Sequence, residues 1–134
     1  MSTHRQIIAD QIKADNPQFA VVAFPNSAPT TVRTGSAYVS VFRESIKPNQ
    51  NSLESSLKVQ VICNAGTTIA SEDDLDAALD QVILSIERIP GVLWTEATRA
   101  VFDEKYFGYE LAVTLSSPNV YKNIVRDEQK AVQP

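Results

Sequence analysis

Two segments of the chain repeat apolar residues at the spacing of an amphipathic helix. The shorter segment covers residues 3–15 and carries three isoleucines that form a modest apolar stripe. The hydroxyl of Thr3 can accept a hydrogen bond from a free backbone N–H, so this residue predicts the N-cap. Asn16 and Pro17 predict the end of the helix, because proline cannot continue it.

The longer segment, residues 71–89, predicts a second helix. Ser71 followed three residues later by Asp74 predicts a capping box at its N-terminus. Pro90 and Gly91 predict its end. The apolar positions recur at intervals of four, three and four residues, and they are Leu75, Leu79, Val82 and Ile86.

The remaining segments are rich in β-branched and aromatic residues, and glycine or proline marks most of their ends. One of them alternates strictly between apolar and polar residues, which predicts a strand with one buried face. The predicted strands cover residues 19–24, 37–46, 53–64, 92–104 and 109–117, with a turn over 47–52 and a hairpin tip over 105–108.

The order of these elements predicts the fold class. A helix, strands, a helix and a strand hairpin indicate an α+β fold, with two amphipathic helices packed on one face of a mostly antiparallel sheet. The chain has 134 residues, which suits one domain with one sizeable core. We predict a single domain over residues 1–117 and a C-terminal arm over 118–134.

The arm carries a short apolar pattern. Val120, Tyr121, Ile124 and Val125 fit an amphipathic turn or two behind Ser117-Pro118. A helix of that length is not stable alone in water. We expect it to dock either on its own sheet or on another chain.

Composition narrows the classes of function. The formal net charge is −4 and no window gathers a basic stripe, so direct recognition of nucleic acid is disfavoured. No apolar run is long enough to cross a bilayer, and the N-terminal stretch lacks the apolar core of a signal peptide. The single cysteine, Cys63, fits a reducing compartment and is expected to face the core. We therefore expect synthesis in the cytoplasm and no membrane contact.

Five acidic residues at the start of the second helix form the most conspicuous charge cluster: Glu72, Asp73, Asp74, Asp76 and Asp80. A metal site would need more ligands converging from elsewhere, and the sequence offers no second acidic cluster. Carboxylates are favoured near a helix N-terminus by the helix dipole. The cluster therefore predicts the solvated opening turns of a helix.

Other catalytic signals are weak. His4 is the only histidine, and neither a second histidine nor a cysteine stands at metal-ligand spacing from it. The sequence has no G-x-S-x-G elbow and no glycine-rich phosphate loop. We expect no enzyme activity, no cofactor and no bound metal.

Two features are less ordinary. A long loop at 25–36 carries Arg33, and long loops in compact domains are often functional. The strands at 37–46 and 92–103 are partly apolar on both faces, where a sheet covered by helices on one side should show a polar second face. In the second of these strands, one face would carry Trp94, Ala100 and Phe102, and the other Leu93, Ala97 and Val101. Either the chain itself or a neighbouring subunit covers the extra apolar face.

The segment EDDLDAALDQVILSIERIPGVLWTEATRAVFDEKYFGYELAVTL, residues 72–115, carries a family resemblance. Its LD..LD.V helix, the short break, the TEATR.V strand and a final strand of the type Y.I.V.L resemble the tail terminator proteins of long-tailed bacteriophages, especially those of actinobacterial hosts. The resemblance covers about residues 37–115, and TEATRAVF at 95–102 is its most specific part. The C-terminal tail departs from the family pattern.

The resemblance implies a structural virion protein. Members of this family form a hexameric ring that caps the last ring of the tail tube, stops its polymerisation and offers a surface to head completion proteins. DNA passes through the lumen without being read, and a mildly acidic chain suits such a channel. The implied partners are copies of the chain, the major tail tube protein and a head completion or neck protein. The implied location is the tail–neck junction of the virion.

The family supplies no residue signature for these contacts, so the expected interface rests on position alone. We expect the faces of the 37–46 and 92–103 strands to meet a neighbour, and the 25–36 loop and 47–52 turn to reach the tube or the head-side ring. Arg33, Arg43 and Arg99 are the expected polar anchors, because guanidinium pairs with carboxylates in bidentate fashion. The full set of expected interface residues is Arg33, Tyr38, Phe42, Arg43, Asn49, Trp94, Arg99, Phe102, Tyr121 and Ile124.

Two alternatives stay open. Another neck component, such as a head completion protein, would share the virion location but bind the portal side. A small cytoplasmic enzyme would need a polar pocket in which titratable groups converge.

Overall fold

The computed structural model describes residues 3–23, 37–50, 52–62, 69–102 and 106–132. In chain order the elements are α1 (His4–Asp15), β1 (Ala20–Val22), β2 (Tyr38–Asn49), β3 (Ser52–Ile62), α2 (Ile69–Glu87), β4 (Val92–Phe102), β5 (Tyr106–Pro118) and α3 (Val120–Val132). No helix within these ranges is long and apolar enough to span a membrane.

The strands form one five-stranded sheet in the order β1-β2-β3-β5-β4. β1 runs parallel to β2, and the β2–β3, β3–β5 and β4–β5 pairs are antiparallel. The sheet is therefore mixed, and the predicted α+β class is confirmed. β4 is one edge, and β1 covers only the first residues of β2, so most of β2 has a free side in the described chain.

The core lies on one face of the sheet. The predicted helical stripe of α2 is buried there, with Val82 and Ile86 fully inaccessible. α1 adds Ile8 and Ile12, which are also fully inaccessible. The strands supply the opposite wall of the core through Val39, Val41, Leu57, Val59, Val61, Leu111 and Val113. Alternation in β3 thus buries the residues that period 2 selects.

The helix ends agree with the sequence at α1 and differ at α2. The backbone N–H of Gln6 donates to the hydroxyl of Thr3 at 3.3 Å, which confirms the predicted N-cap. α2 begins at Ile69, so the predicted N-cap at Ser71 is wrong. The residues before Ser71 include Ala70, and alanine favours the helix more than any other residue. At the other end, Gly91 adopts φ +80°, a left-handed conformation that glycine accepts readily.

The β2–β3 hairpin is tighter than predicted. The expected turn over 47–52 is too long, because Lys47 pairs with Glu54 and Pro48 pairs with Leu53 inside the ladder. Proline is tolerated here because β2 is an edge strand at this point of the described sheet. The turn itself is short and places Gln50 at φ 56°.

The second hairpin also extends further than predicted. β5 begins at Tyr106, so most of the expected tip at 105–108 belongs to the strand. Residues 103–105 lie outside the described residues, as does Cys63 with its expected inward orientation.

An irregularity in β4 changes the predicted faces. The register shifts between Trp94 and Glu96, so one extra residue enters the strand there. Trp94 and Ala97 consequently pack against the same core. The prediction that placed them on opposite faces is wrong, because strict alternation holds only in a strand without a bulge.

The arm is a longer helix than predicted. α3 has 13 residues where the sequence pattern indicated an amphipathic turn or two. The side-chain amide oxygen of Asn119 accepts from the backbone N–H of Lys122 at 3.1 Å and caps the helix.

Candidate interface surfaces

The expected anchor Arg99 is engaged within its own chain. Its Nη1 donates to Oε2 of Glu72 at 2.9 Å, and its Nη2 contacts the other carboxylate oxygen, so β4 is tied to α2 by a bidentate pair. The guanidinium also lies over the ring of Phe107, 5.5 Å from the centroid. Hydrogen bonding from Arg99 lowers the pKa of the Glu72 carboxyl. This carboxylate is held ionised, which is the opposite of a carboxyl tuned to carry a proton at neutral pH.

The side chain of Trp94 also contacts residues of its own chain. Its indole Nε1 donates to Oε1 of Glu87 at 2.7 Å, and its ring packs partly against the core. The large hydrophobic residues that remain exposed on the described part of β4 are aliphatic: Leu93 is 66% exposed and Val101 is 54% exposed. The side chain of Phe102 lies outside the description. β4 thus presents apolar surface at positions other than Trp94.

Expected interface residues on β2 divide between interior and surface. Tyr38 is buried, with 7% of its side chain exposed, and Phe42 is half-buried. Arg43 is exposed and lines a small cavity of about 110 Å³ with Thr3, His4, Arg5 and Leu57. Of these three, Arg43 offers the most surface to a neighbour.

The sheet face opposite the helices carries a polar network at its centre, whose cross-strand partners the sequence pattern did not indicate. Lys58 Nζ lies 3.2 Å from a Glu110 carboxylate oxygen and 3.6 Å from one of Glu44, on both sides of β3. These contacts raise the pKa of Lys58. Gln60 continues the row, accepting from the Ser40 hydroxyl at 3.0 Å. The middle of this face is polar, as expected of a solvated sheet surface.

A groove lies between α3 and the distal half of the β2–β3 hairpin. Its volume is about 500 Å³. The apolar lining comes from Ile46, Pro48, Leu53, Tyr121 and Val125, and the cationic lining comes from Lys47, Lys122 and Arg126. No acidic residue belongs to the described lining.

α3 exposes most of its apolar stripe beside this groove. Val120, Tyr121, Ile124 and Val125 each expose between 49% and 55% of their side chains. Two of the expected interface residues, Tyr121 and Ile124, belong to this stripe. Asn49 is exposed at the nearby hairpin end, where its carbonyl accepts from the Ser52 hydroxyl at 2.8 Å. The structure therefore gathers three expected residues at one end of the molecule, far along the hairpin from the core.

The acidic cluster of α2 is distributed over its surface. Glu72 pairs with Arg99, and Asp76 accepts from the Tyr109 hydroxyl at 3.5 Å. Asp73 and Asp80 are exposed. The described residues contain no group of three or more histidine, cysteine or acidic side chains placed to hold a metal ion. Arg33 and the whole loop at 25–36 lie outside the described ranges.

Sequence comparison adds no family to this geometry. No model of a protein family matches the chain, and no curated protein sequence matches it either.

Proposed function

We propose that the chain is a non-enzymatic structural protein that terminates the tail tube of a long-tailed bacteriophage. In this proposal its fold is of the tail-terminator type, with a mostly antiparallel sheet. The tail-terminator role in this proposal is suggested by the family resemblance of TEATRAVF at 95–102. The observation that carries it is the unburied apolar surface on β4 and α3, where six aliphatic or aromatic side chains are about half exposed or more. Surface of this kind is typical of contact with another chain.

Ring formation is the simplest way to cover such surface in many copies of one chain. The exposed apolar residues of α3 and those of β4 lie on different elements, so a contact in which either set meets a different surface of the next subunit is heterologous. Heterologous contacts close into a ring when the rotation between subunits allows it. A hexameric ring of this chain would cap the last ring of the tube and block further addition.

The remaining partners follow from the proposed place of the ring. One side would meet the major tail tube protein and the other a head completion or neck protein, at the tail–neck junction of the virion. DNA would cross the lumen without sequence recognition, which suits a chain of net charge −4 that has no basic stripe. The ring would need no cofactor, metal ion or catalytic residue.

The test is the mass of the purified chain by light scattering, alone and after mixing with the phage's tail tube protein. We expect a ring of six subunits on tube ends and tubes that stop growing when the chain is added. A chain that stays monomeric alone and does not bind the tube protein in the mixture would contradict the proposal.

A pull-down separates the terminator from another neck component. Tagged chain is offered the tail tube protein and the head completion protein separately. We expect capture of the tube protein. Capture of portal-side proteins alone would reassign the chain to the head side of the neck.

A further inference from the structure

The groove beside α3 has the chemistry of a docking site for a negatively charged, partly apolar surface. Its floor is apolar, and Lys47, Lys122 and Arg126 place three positive charges along its lining. Lys122 and Arg126 are four residues apart and lie on one side of α3. Lys47 lies 4.0 Å from Glu54, but 67% of its own side chain is exposed and available to another partner.

The outer face of α2 has the complementary chemistry. Helical spacing places Asp73, Asp80 and Leu84 on one stripe, with Asp76 at its border. All four are exposed, and Leu84 exposes 46% of an apolar side chain to solvent. No described residue forms a salt bridge with Asp73 or Asp80.

The two surfaces also match in length. The groove follows α3 from Asn119 to Gln129, which at 1.5 Å per residue is about 15 Å. The stripe on α2 from Asp73 to Leu84 is about 16 Å long by the same rise. On α2, Asp73, Asp76 and Asp80 follow one another at intervals of three and four residues, and on α3 Lys122 and Arg126 are four residues apart, so charges recur about once per helical turn on both surfaces.

We propose that the outer face of α2 of one copy docks into the groove between α3 and the β2–β3 hairpin of a second copy. Leu84 enters the apolar part of the groove, and the carboxylates of Asp73 and Asp80 face the cationic lining formed by Lys47, Lys122 and Arg126. The contact is heterologous, so each copy offers both surfaces and the assembly can extend or close into a ring. It deepens the proposed function by naming one contact between subunits, and only the ring's biological role rests on that function.

The first experiment measures self-association by light scattering over a concentration series, without tube protein. We expect the mass of the wild-type chain to rise with concentration at low ionic strength and to fall at about 0.5 M salt, because exposed charge pairs are screened. A wild-type chain that stays monomeric throughout the low-salt series would overturn the proposal.

Charge reversal then tests the two surfaces. One variant carries Lys122→Glu with Arg126→Glu, and the other carries Asp73→Lys with Asp80→Lys. Each variant alone is expected to associate about tenfold more weakly than the wild type or worse, because like charges now face each other. An equimolar mixture should regain the wild-type mass, because opposite charges then meet in both pairings.

The matched control is Asp127→Lys, which changes a charge on α3 outside the groove lining. It should associate as the wild type does. All five substituted residues are exposed, and circular dichroism checks that each variant is folded. Reversal variants that associate normally, or a mixture that stays monomeric, would contradict the proposed contact.

Tube capping distinguishes this contact from the proposed function. Self-association through these surfaces without any capping would leave the contact standing and remove the terminator role. Normal capping by both reversal variants would leave the terminator role standing and remove the contact.

Discussion

At the scale of single residues, Asp15 joins α1 to α2. Its carboxylate accepts from the hydroxyl of Ser85 at 2.7 Å and from Gln11 at 3.1 Å, and it lies 2.8 Å from Nη1 of Arg88. Ser85 is fully inaccessible, so its hydroxyl needs this acceptor. The hydrogen bonds from Gln11, Ser85 and Arg88 lower the pKa of Asp15 from its ordinary value of 3.8.

A depressed carboxyl pKa makes a prediction about acid stability. The stabilisation from ionised Asp15 is present above the unfolded pKa and is lost as the pH falls through the lower pKa of the folded state. We expect Asp15→Asn to unfold at lower urea concentration than the wild type at pH 7. The difference should shrink as the pH is lowered towards about 2, because the Asp15 carboxyl takes up a proton as the pH falls through its lowered folded-state pKa.

The control for this experiment is Asp10→Asn, which changes an exposed carboxylate on the same helix. It should move the urea midpoint less at pH 7. A difference between Asp15→Asn and the wild type that is equal at both pH values would show that charge is not the cause.

At the scale of elements, the three helices differ in how much they bury. α1 and α2 both place fully inaccessible side chains in the core, whereas the apolar residues of α3 are about half exposed. A helix of 13 residues has little stability in water from its backbone alone. α3 is therefore the helix of this chain that gains most from contact with another molecule.

The same substitution on two helices measures this difference. Ile8→Ala in α1 removes a side chain with 0% exposure and should lower the free energy of unfolding by about 2–5 kcal/mol. Ile124→Ala in α3 removes one with 53% exposure, and we expect a change within about 0.5 kcal/mol. Urea unfolding curves fitted with one common slope of free energy against urea concentration give the free energy of unfolding of both variants.

Equal losses of unfolding free energy in the two variants would mean that α3 packs on the rest of the chain as firmly as α1 does. Amide hydrogen exchange gives an independent reading, because α3 amides should exchange much faster than those of α1 when the helix opens locally.

At the scale of the whole molecule, one sheet face is packed against helices, and two elements, β4 and α3, keep exposed apolar residues. The helices and one sheet face bury the core, while β4 and α3 leave apolar side chains in water. An exposed edge strand is open to pairing with another chain unless charge or a bulge protects it. The register shift near Trp94 interrupts β4 towards one end, and the rest of this edge continues to Phe102.

Val101 tests whether β4 belongs to the proposed ring. Val101→Lys places a charge on a residue that is 54% exposed, so the free energy of unfolding should change by no more than about 0.5 kcal/mol. We expect tube capping to fail, because the charge would be buried without a partner in the subunit contact. Electron microscopy of tube lengths with and without the variant gives the result.

Ile7→Lys is the matched control, since Ile7 is 42% exposed and lies on α1 rather than β4. It should cap tubes normally. Normal capping by Val101→Lys would remove β4 from the ring contact.

The sequence by itself determined most of the elements. Periods of 3.6 and 2 are local properties, so they predicted α1, α2 and the buried side of β3 together with the α+β class. The cap at Thr3 was readable because its acceptor and donor are three residues apart. The exposed stripe of α3 was visible in the sequence, although the length of the helix was not.

Only the tertiary structure decided how these elements combine. The parallel β1–β2 pairing, the bulge in β4 and the polar network around Lys58 depend on neighbours that no local period specifies. The pairs Asp15–Ser85 and Glu72–Arg99 join residues 70 and 27 positions apart. The groove likewise exists only because the end of β5 delivers α3 beside the β2–β3 hairpin. Such contacts depend on chain topology, which brings distant residues together, and a pattern read along the chain carries no information about that distance.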